Sequence, residues 1–153
     1  MKAQDLYLQS LDSGTTIDHI PAKKALKVLE KLELDYDGVT TVAINVDSAK
    51  LGGGKKDLIF IENKELTQRE VDKIALIARG ATVNWLKDHQ VLRKERLGIP
   101  EHVEGIIQCI NPNCVTNKEG IETQFSIQQN PLRAKCYYCE KTMLEKELED
   151  GIR

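Results

Sequence analysis

Aromatic residues make up only 5% of this 153-residue chain, with one tryptophan and two phenylalanines. A stacking platform for single-stranded nucleic acid needs several rings in a row, so that class of function has little support. Long apolar runs are missing too. The longest unbroken aliphatic stretch, Ile74 to Ala78, is far too short to span a bilayer. The sequence has neither low-complexity tracts nor an internal repeat, which excludes a solenoid. Positive charge is not in excess, since the formal net charge is −2. At the N-terminus, MKAQDLYLQ puts Asp5 where a signal peptide would need an apolar core, so a cytoplasmic location is expected. The 41% hydrophobic content is enough for a packed core.

What the chain does have is four cysteines, all in its last third, as Cys109-x4-Cys114 and Cys136-x2-Cys139 with 21 residues between the pairs. Each short pair turns the chain tightly enough to give one metal two thiolates at about 2.3 Å. The spacing therefore predicts one structural Zn2+ held by Cys109, Cys114, Cys136 and Cys139, with no open position for water and hence no catalytic metal. Disulfides fit a cytoplasmic chain poorly. A thioredoxin-like role for Cys136-x2-Cys139 would need the motif to open a helix, whereas Tyr137 and Tyr138 suggest a strand. A zinc deaminase needs His-x-Glu together with a proline before the cysteine pair, and that arrangement is lacking.

Cysteine distribution and charge both suggest two modules, residues 1–99 and 100–153. The first carries 16 Lys+Arg against 15 Asp+Glu, the second 6 against 9. Four thiolates and one divalent metal would take the second from −3 to −5, the wrong sign for gripping a phosphate backbone. That weighs against the alternative of a zinc-ribbon nucleic-acid binder. At 54 residues, this module is small enough to depend on a metal staple.

Within the first module, alternation over residues 6–11 and again from Thr15 to Ile20 predicts a strand. Pro21 is expected to open a helix whose apolar stripe is Ala22, Ala25, Leu26, Leu29 and Leu32. Val39 to Asp47 and Asp57 to Asn63 read as a hairpin with Gly52, Gly53 and Gly54 at its tip; flanked by strands on both sides, these glycines are not a phosphate loop. Thr67-Gln68-Arg69-Glu70 is a capping box opening a second helix that Gly80 ends. Strands over Ala81–Asp88 and Gln90–Lys94 complete a βαββαβ order with one strand added. The fold class is α+β: a ferredoxin-like antiparallel sheet with two helices on one face and the other face open, then a small four-cysteine zinc-binding β domain with strands at Val103–Cys109, Thr123–Gln128 and Thr142–Glu145.

Period-two alternation puts Asn84 and Leu86 on one face of their strand, near Val91 and the basic residues Arg93, Lys94 and Arg96, with Asp18 and His19 on the first strand. Cations, an apolar floor and a carboxylate able to accept from ribose hydroxyls suit an anion or nucleotide. A stand-alone acid–base enzyme using Asp18 and His19 has neither a nucleophile nor an open metal position to accompany it.

Four stretches carry a resemblance over nearly the whole length: Gly14-Thr15-Thr16-Ile17-Asp18-His19-Ile20-Pro21; Gly54-Lys55-Lys56-Asp57-Leu58-Ile59 with Ile61-Glu62-Asn63; Ala81-Thr82-Val83-Asn84; and the cysteine pattern with Asn111 and Asn113 in its first knuckle. The chain resembles the regulatory chains of aspartate carbamoyltransferase. That resemblance implies a control subunit of pyrimidine biosynthesis with no active site of its own. It implies an N-terminal domain that binds CTP as inhibitor, ATP as activator and UTP as helper of CTP, and that pairs with a second copy through its sheet. It also implies a zinc domain docked on the catalytic chain, three regulatory dimers bridging two catalytic trimers. Carried over by position, Asp18 is expected to hold the ribose, His19, Asn84 and Lys94 the phosphates, and Leu11, Leu86 and Val91 the base and sugar surroundings, with Lys56 at the pocket edge. Asn111, Asn113 and Glu140 fall where the family contacts the catalytic chain. Two departures bear on effector preference: Phe60 stands where the family usually has a lysine that reaches base and ribose, and Thr16 where it has a small aliphatic residue.

Overall fold

The computed structural model describes residues 13–33, 37–48 and 54–153. The strand expected over residues 6–11, with the candidate ligand residue Leu11, lies outside the described residues, as do Gly52 and Gly53. The chain divides into two compact units, Met1–Gly98 and Ile99–Arg153.

In the first unit the elements run β1 (Gly14–Pro21), α1 (Ala25–Leu32), β2 (Thr40–Ser48), β3 (Gly54–Glu62), α2 (Gln68–Ile77), β4 (Thr82–Lys87) and β5 (Gln90–Arg96). The strands form one antiparallel sheet in the order β2-β3-β1-β4-β5, a ferredoxin-like arrangement with β5 added beside β4. β1 is central. Its Thr15, Thr16, Ile17 and Ile20 are fully buried, as a strand hydrogen-bonded on both edges should be.

Pro21 closes β1 and does not open the helix. The chain must first turn, with Lys24 N donating to Pro21 O at 3.1 Å and Lys23 at φ 73°, before α1 starts at Ala25. The helix start is fixed from a neighbouring strand. Asp57, fully buried on β3, accepts from Ala25 N through Oδ2 at 2.9 Å and from Asn45 N through Oδ1 at 2.8 Å. One carboxylate thereby satisfies an orphan donor of α1 and ties down the bulge of β2 between Ala43 and Val46. The buried stripe of α1 is Ala25, Val28 and Leu32, whereas Leu26 is 63% exposed, because a three- and four-residue step from Ala25 passes through Val28 and not Leu26.

The capping box of α2 is formed, Glu70 N donating to Thr67 Oγ1 at 3.2 Å and Thr67 N to Glu70 Oε1 at 3.0 Å. Lys73 of α2 lends its ammonium to Lys31 O at 3.3 Å, satisfying a carbonyl in the last turn of α1. Burial lowers the Lys73 pKa, with the nearby Arg69 cation acting in the same direction. The expectation of an open second sheet face fails along β3, where Lys56 to Ile61 are all buried. Six successive buried residues on a pleated strand mean that both of its faces are covered. Gly54 opens β3 opposite Ser48 and is not a hairpin tip.

The second unit is a four-stranded antiparallel sheet of β6 (His102–Glu104), β7 (Gln124–Gln128), β8 (Arg133–Cys136) and β9 (Thr142–Leu144), with short helices α3 (Val115–Lys118) and α4 (Glu145–Gly151). β6 is shorter than expected because Gly105, at φ 67°, turns the chain out of the ladder. β8, α3 and α4 have no strong periodic signal in sequence. Phe125, Ile107, Leu132, Met143, Leu148 and Ile152 form the core, and Gly151 sits where a Cβ would lie 3.0 Å from Met143 Cε and 3.1 Å from Gln108 O. Tyr137 and Tyr138 are not in a strand. They occupy the turn after β8 that carries the second cysteine pair.

Candidate metal centre and ligand-binding face

The first knuckle is built by its asparagines. Asn111 O accepts from Cys114 N at 3.0 Å and from Asn117 Nδ2 at 2.7 Å, while Asn117 Nδ2 also reaches Cys109 O at 3.0 Å and Asn111 Oδ1 takes Asn113 N at 3.0 Å. The second knuckle closes through Cys136 N to Lys141 O and Glu140 N to Cys136 O, both at 3.0 Å, with Glu140 at φ 63°. Their thiols converge. The Sγ atoms of Cys109, Cys114, Cys136 and Cys139 all lie within 4.8 Å of one another, with Cys109–Cys139 at 3.6 Å and Cys114–Cys136 at 3.8 Å. Tetrahedral zinc–thiolate bonds of about 2.3 Å put sulfurs about 3.8 Å apart, so the donor set fits one zinc. Thr116 Oγ1 donates to Cys114 Sγ at 3.2 Å, the sort of outer contact that orients a ligand.

Electrostatics point the same way. Burial, added to the neighbouring thiols, pushes Cys109 up to about 12 and also raises Cys136. At Cys139 burial works against ionisation but is outweighed by the Lys141 backbone N–H, the Asn111 side chain and the adjacent thiols, which bring it down to about 7. Four thiols this close cannot all lose their protons on their own. A divalent cation in their midst reverses that balance, which is why such a site binds metal with proton release.

In the first unit, strand register assembles the other candidate residues. Direct pairing aligns Thr41, Phe60, Thr16, Asn84 and Lys94 across all five strands, and cross-strand partners share a face. The adjoining rows on that face are Asp18, Thr82 and Arg96 on one side and Gly14, Leu86 and Val91 on the other. Asn84 Nδ2 donates to Thr16 Oγ1 at 2.9 Å, so the position where Thr16 departs from an aliphatic residue anchors the amide. Lys94 is exposed and Val91 is 54% exposed, whereas Phe60 and Leu86 are buried and form a floor.

Between Ile17 and Ile20, two residues of β1 face one of β3, a bulge with His19 at φ 56°. It brings Asp18 and His19 into one cluster. Asp18 Oδ1 accepts from His19 N at 2.6 Å and from Lys56 Nζ at 2.7 Å, and Asp18 Oδ2 lies 3.9 Å from His19 Nδ1. Lys56, expected at a pocket edge, is 2% exposed; this carboxylate compensates the burial of its charge.

Comparison with known proteins then decides the family. Residues 6–98 match the model described as aspartate carbamoyltransferase regulatory chain, allosteric domain, and residues 101–149 match the metal binding domain of the same chain. The aspartate carbamoyltransferase regulatory chain of Pyrococcus horikoshii is 47% identical over 148 residues, covering 94% of this chain and 96% of its own. That of Thermococcus sibiricus is 49% identical over 143 residues, covering 93% and 94%, and that of Methanococcus maripaludis is 47% identical over 139, covering 90% and 93%.

The chain belongs to the aspartate carbamoyltransferase regulatory chain family. As a regulatory chain it has an allosteric and a metal-binding domain and is not the catalytic subunit, so its partner is a catalytic chain. The cysteine cluster, in the matched metal binding domain, is that of one structural zinc. Among the described residues, no helix is long and apolar enough to cross a membrane.

The regulatory chain's second unit carries Asn113 and Glu140 exposed on its two knuckles, while Asn111 is half-buried and spends its side chain on the first. Sequence reasoning missed Asp57, Asn117 and Thr116. Only Asp57 left a signal, as an acidic residue inside an otherwise buried strand.

Proposed function

We propose that the chain binds the nucleotides CTP, UTP and ATP on the sheet face bearing Asp18, Asn84 and Lys94 and transmits their binding to catalytic trimers in pyrimidine biosynthesis. It acts in the cytoplasm as a self-dimer, three dimers bridging two catalytic trimers through the zinc unit, at Asn111, Asn113 and Glu140. Asp18 holds the ribose, His19, Asn84 and Lys94 the phosphates, Leu11, Leu86 and Val91 the base and sugar surroundings, with Lys56 fixing Asp18. The observation that carries this reading is the single cross-strand row in which Lys94 and Asn84 are direct partners and Phe60 follows beyond Thr16, with Asp18 one row away. An effector of this kind alters catalysis only by binding two quaternary states with different affinity.

Calorimetric titration of the nucleotides tests it. Lys94→Ala should weaken CTP and ATP alike by about 1.5–3 kcal/mol before screening, because a charge-assisted contact to phosphate is lost from both. Unchanged affinity for both would remove Lys94 from the site. Phe60 replaces a donor by a ring, and an apolar floor discriminates weakly between bases. CTP and ATP should therefore bind this chain with more similar affinities than they bind a lysine-bearing relative, and a strong preference for CTP would overturn that assignment.

A further inference from the structure

The two cysteine pairs of the second unit are closed by different means. In the shorter Cys136-x2-Cys139 knuckle the backbone suffices, Glu140 N donating to Cys136 O at 3.0 Å across the turn. The Cys109-x4-Cys114 loop is two residues longer, and a side chain takes the carbonyl of its leading cysteine. Asn117 Nδ2 donates one hydrogen to Cys109 O at 3.0 Å and the other to Asn111 O at 2.7 Å, so the amide spends both of its hydrogens on one loop.

Asn117 is itself fixed through its backbone, on the short helix α3 that Cys114 precedes: Asn117 N donates to Cys114 O at 3.0 Å, and Cys114 N to Asn111 O at 3.0 Å. The side chain therefore ties the segment arriving with Cys109 to the helix leaving from Cys114. Thr116, one residue earlier and 4% exposed, sends its hydroxyl to Cys114 Sγ at 3.2 Å. Two adjacent residues of α3, neither of them a metal ligand, thus act on the spacing of the first thiol pair and on the charge of one of its sulfurs.

We propose that Asn117 is the positioning residue of the first knuckle, holding Cys109 and Cys114 at the separation that one tetrahedral metal needs, with Thr116 orienting the Cys114 sulfur. Fixing a ligand pair in its bound geometry beforehand removes an ordering cost from metal binding, and outer partners of metal ligands accordingly change affinity by about 10–100-fold. An alanine at position 117 keeps all four thiols and leaves their longer loop slack.

Chelator-competition titration of zinc into the full chain, together with the absorption spectrum of the cobalt(II)-substituted chain, tests it. Asn117→Ala should weaken zinc about tenfold or more and change the energies and intensities of the cobalt d–d bands, because these follow the angles between the four sulfurs. Asn117→Ser, with at most one hydrogen to donate, should fall between Asn117→Ala and wild type. Thr116→Val, equal in shape but without the hydroxyl, should move the sulfur-to-cobalt charge-transfer band to lower energy, since the thiolate loses a donor that stabilised its electrons. The control is Leu148→Ala, a core change outside the hydrogen bonds of either knuckle, which should lower zinc affinity through folding alone and leave the cobalt bands in place. Zinc affinity within about twofold of wild type in Asn117→Ala would overturn the assignment. So would weakened affinity with wild-type cobalt bands, which would make Asn117 a general stabiliser like Leu148. If Asn117→Ala does not fold even with metal, Asn117→Ser decides in its place, and wild-type affinity and bands in that variant would refute the proposal. An unmoved charge-transfer band in Thr116→Val would remove Thr116 from it.

Discussion

The two units solve the same problem by different means. In the first, a five-stranded sheet has β3 buried along most of its length and β1 along half of it, and Ile17, Ile20, Ile59, Ile61, Ile74, Leu76 and Ile77 are almost completely removed from water. Each large aliphatic side chain buried in this way contributes about 1.5–3 kcal/mol, so apolar packing is this unit's main source of stability. The second has a smaller core, with Phe125 its one large buried ring, and its two cysteine turns are short segments closed by local hydrogen bonds. A metal shared by four thiolates ties the two turns to each other. Where apolar area is scarce, one coordination sphere replaces many packed contacts, and the whole unit becomes hostage to four atoms.

Removing the metal should break the comparison most visibly. Structural zinc is worth about 10–16 kcal/mol in small peptides, as much as the entire stability of a typical domain. Cys114→Ala, or chelation of the wild type, should unfold the second unit, abolish association with catalytic chains and leave the first unit with its native melting transition. Differential scanning calorimetry with size-exclusion chromatography reads all three, and normal assembly by Cys114→Ala would show that the site is not structural. The pH sense follows from the thiols. Metal competes with protons, and with Cys109 and Cys136 held above the ordinary thiol range, acidification should release zinc while the first unit is still folded.

Asp57→Ala should produce the converse, weakening only the first unit. Its carboxylate accepts from Ala25 N in a buried bond and from Asn45 N in a part-buried one, so truncation strands the Ala25 donor away from water and frees the Asn45 donor. An unpaired buried donor costs about 1–3 kcal/mol, so the loss of the Ala25 pairing alone should cost about that much. Urea denaturation should show that loss, with one zinc per chain retained; a loss below about 1 kcal/mol would mean that the helix start is held by something else.

How far each unit was legible in the sequence follows from the same contrast. The element order of the first unit was readable because helix and strand periodicities alternate cleanly and Thr67 and Glu70 mark a helix start. The cysteines were readable because metal geometry dictates spacing. Asp57 was not, since its role depends on a helix that begins 32 residues earlier in the chain. Nor was the burial of Lys56, whose partner Asp18 reaches it only through the bulge at His19. β8 stayed hidden because its inward residues are Ala134 and Cys136, small side chains that give little alternation signal. Local rules reveal elements; contacts between distant segments, which carry much of the candidate site, leave only isolated polar residues to be noticed.

The smallest effect sharpens the comparison by probing a purely local device of the first unit, the capping box of α2. Thr67→Ala removes the oxygen that accepts from Glu70 N and should cost about 1 kcal/mol, again without affecting zinc content. Its partner adds a pH signature. Burial tends to raise the Glu70 pKa, but the Thr67 backbone N–H and hydroxyl, together with the Lys64 ammonium, outweigh it and hold the carboxyl below its ordinary 4.5. A group whose folded value is depressed stabilises the protein above its unfolded value and loses that contribution as pH falls through the folded one. Glu70→Gln should therefore be less stable than wild type at neutral pH, with the gap closing once the pH drops below about 4. A gap that stayed constant from about pH 7 to about pH 3 would mean that the ionised carboxylate contributes nothing and that the amide replaces it only in shape.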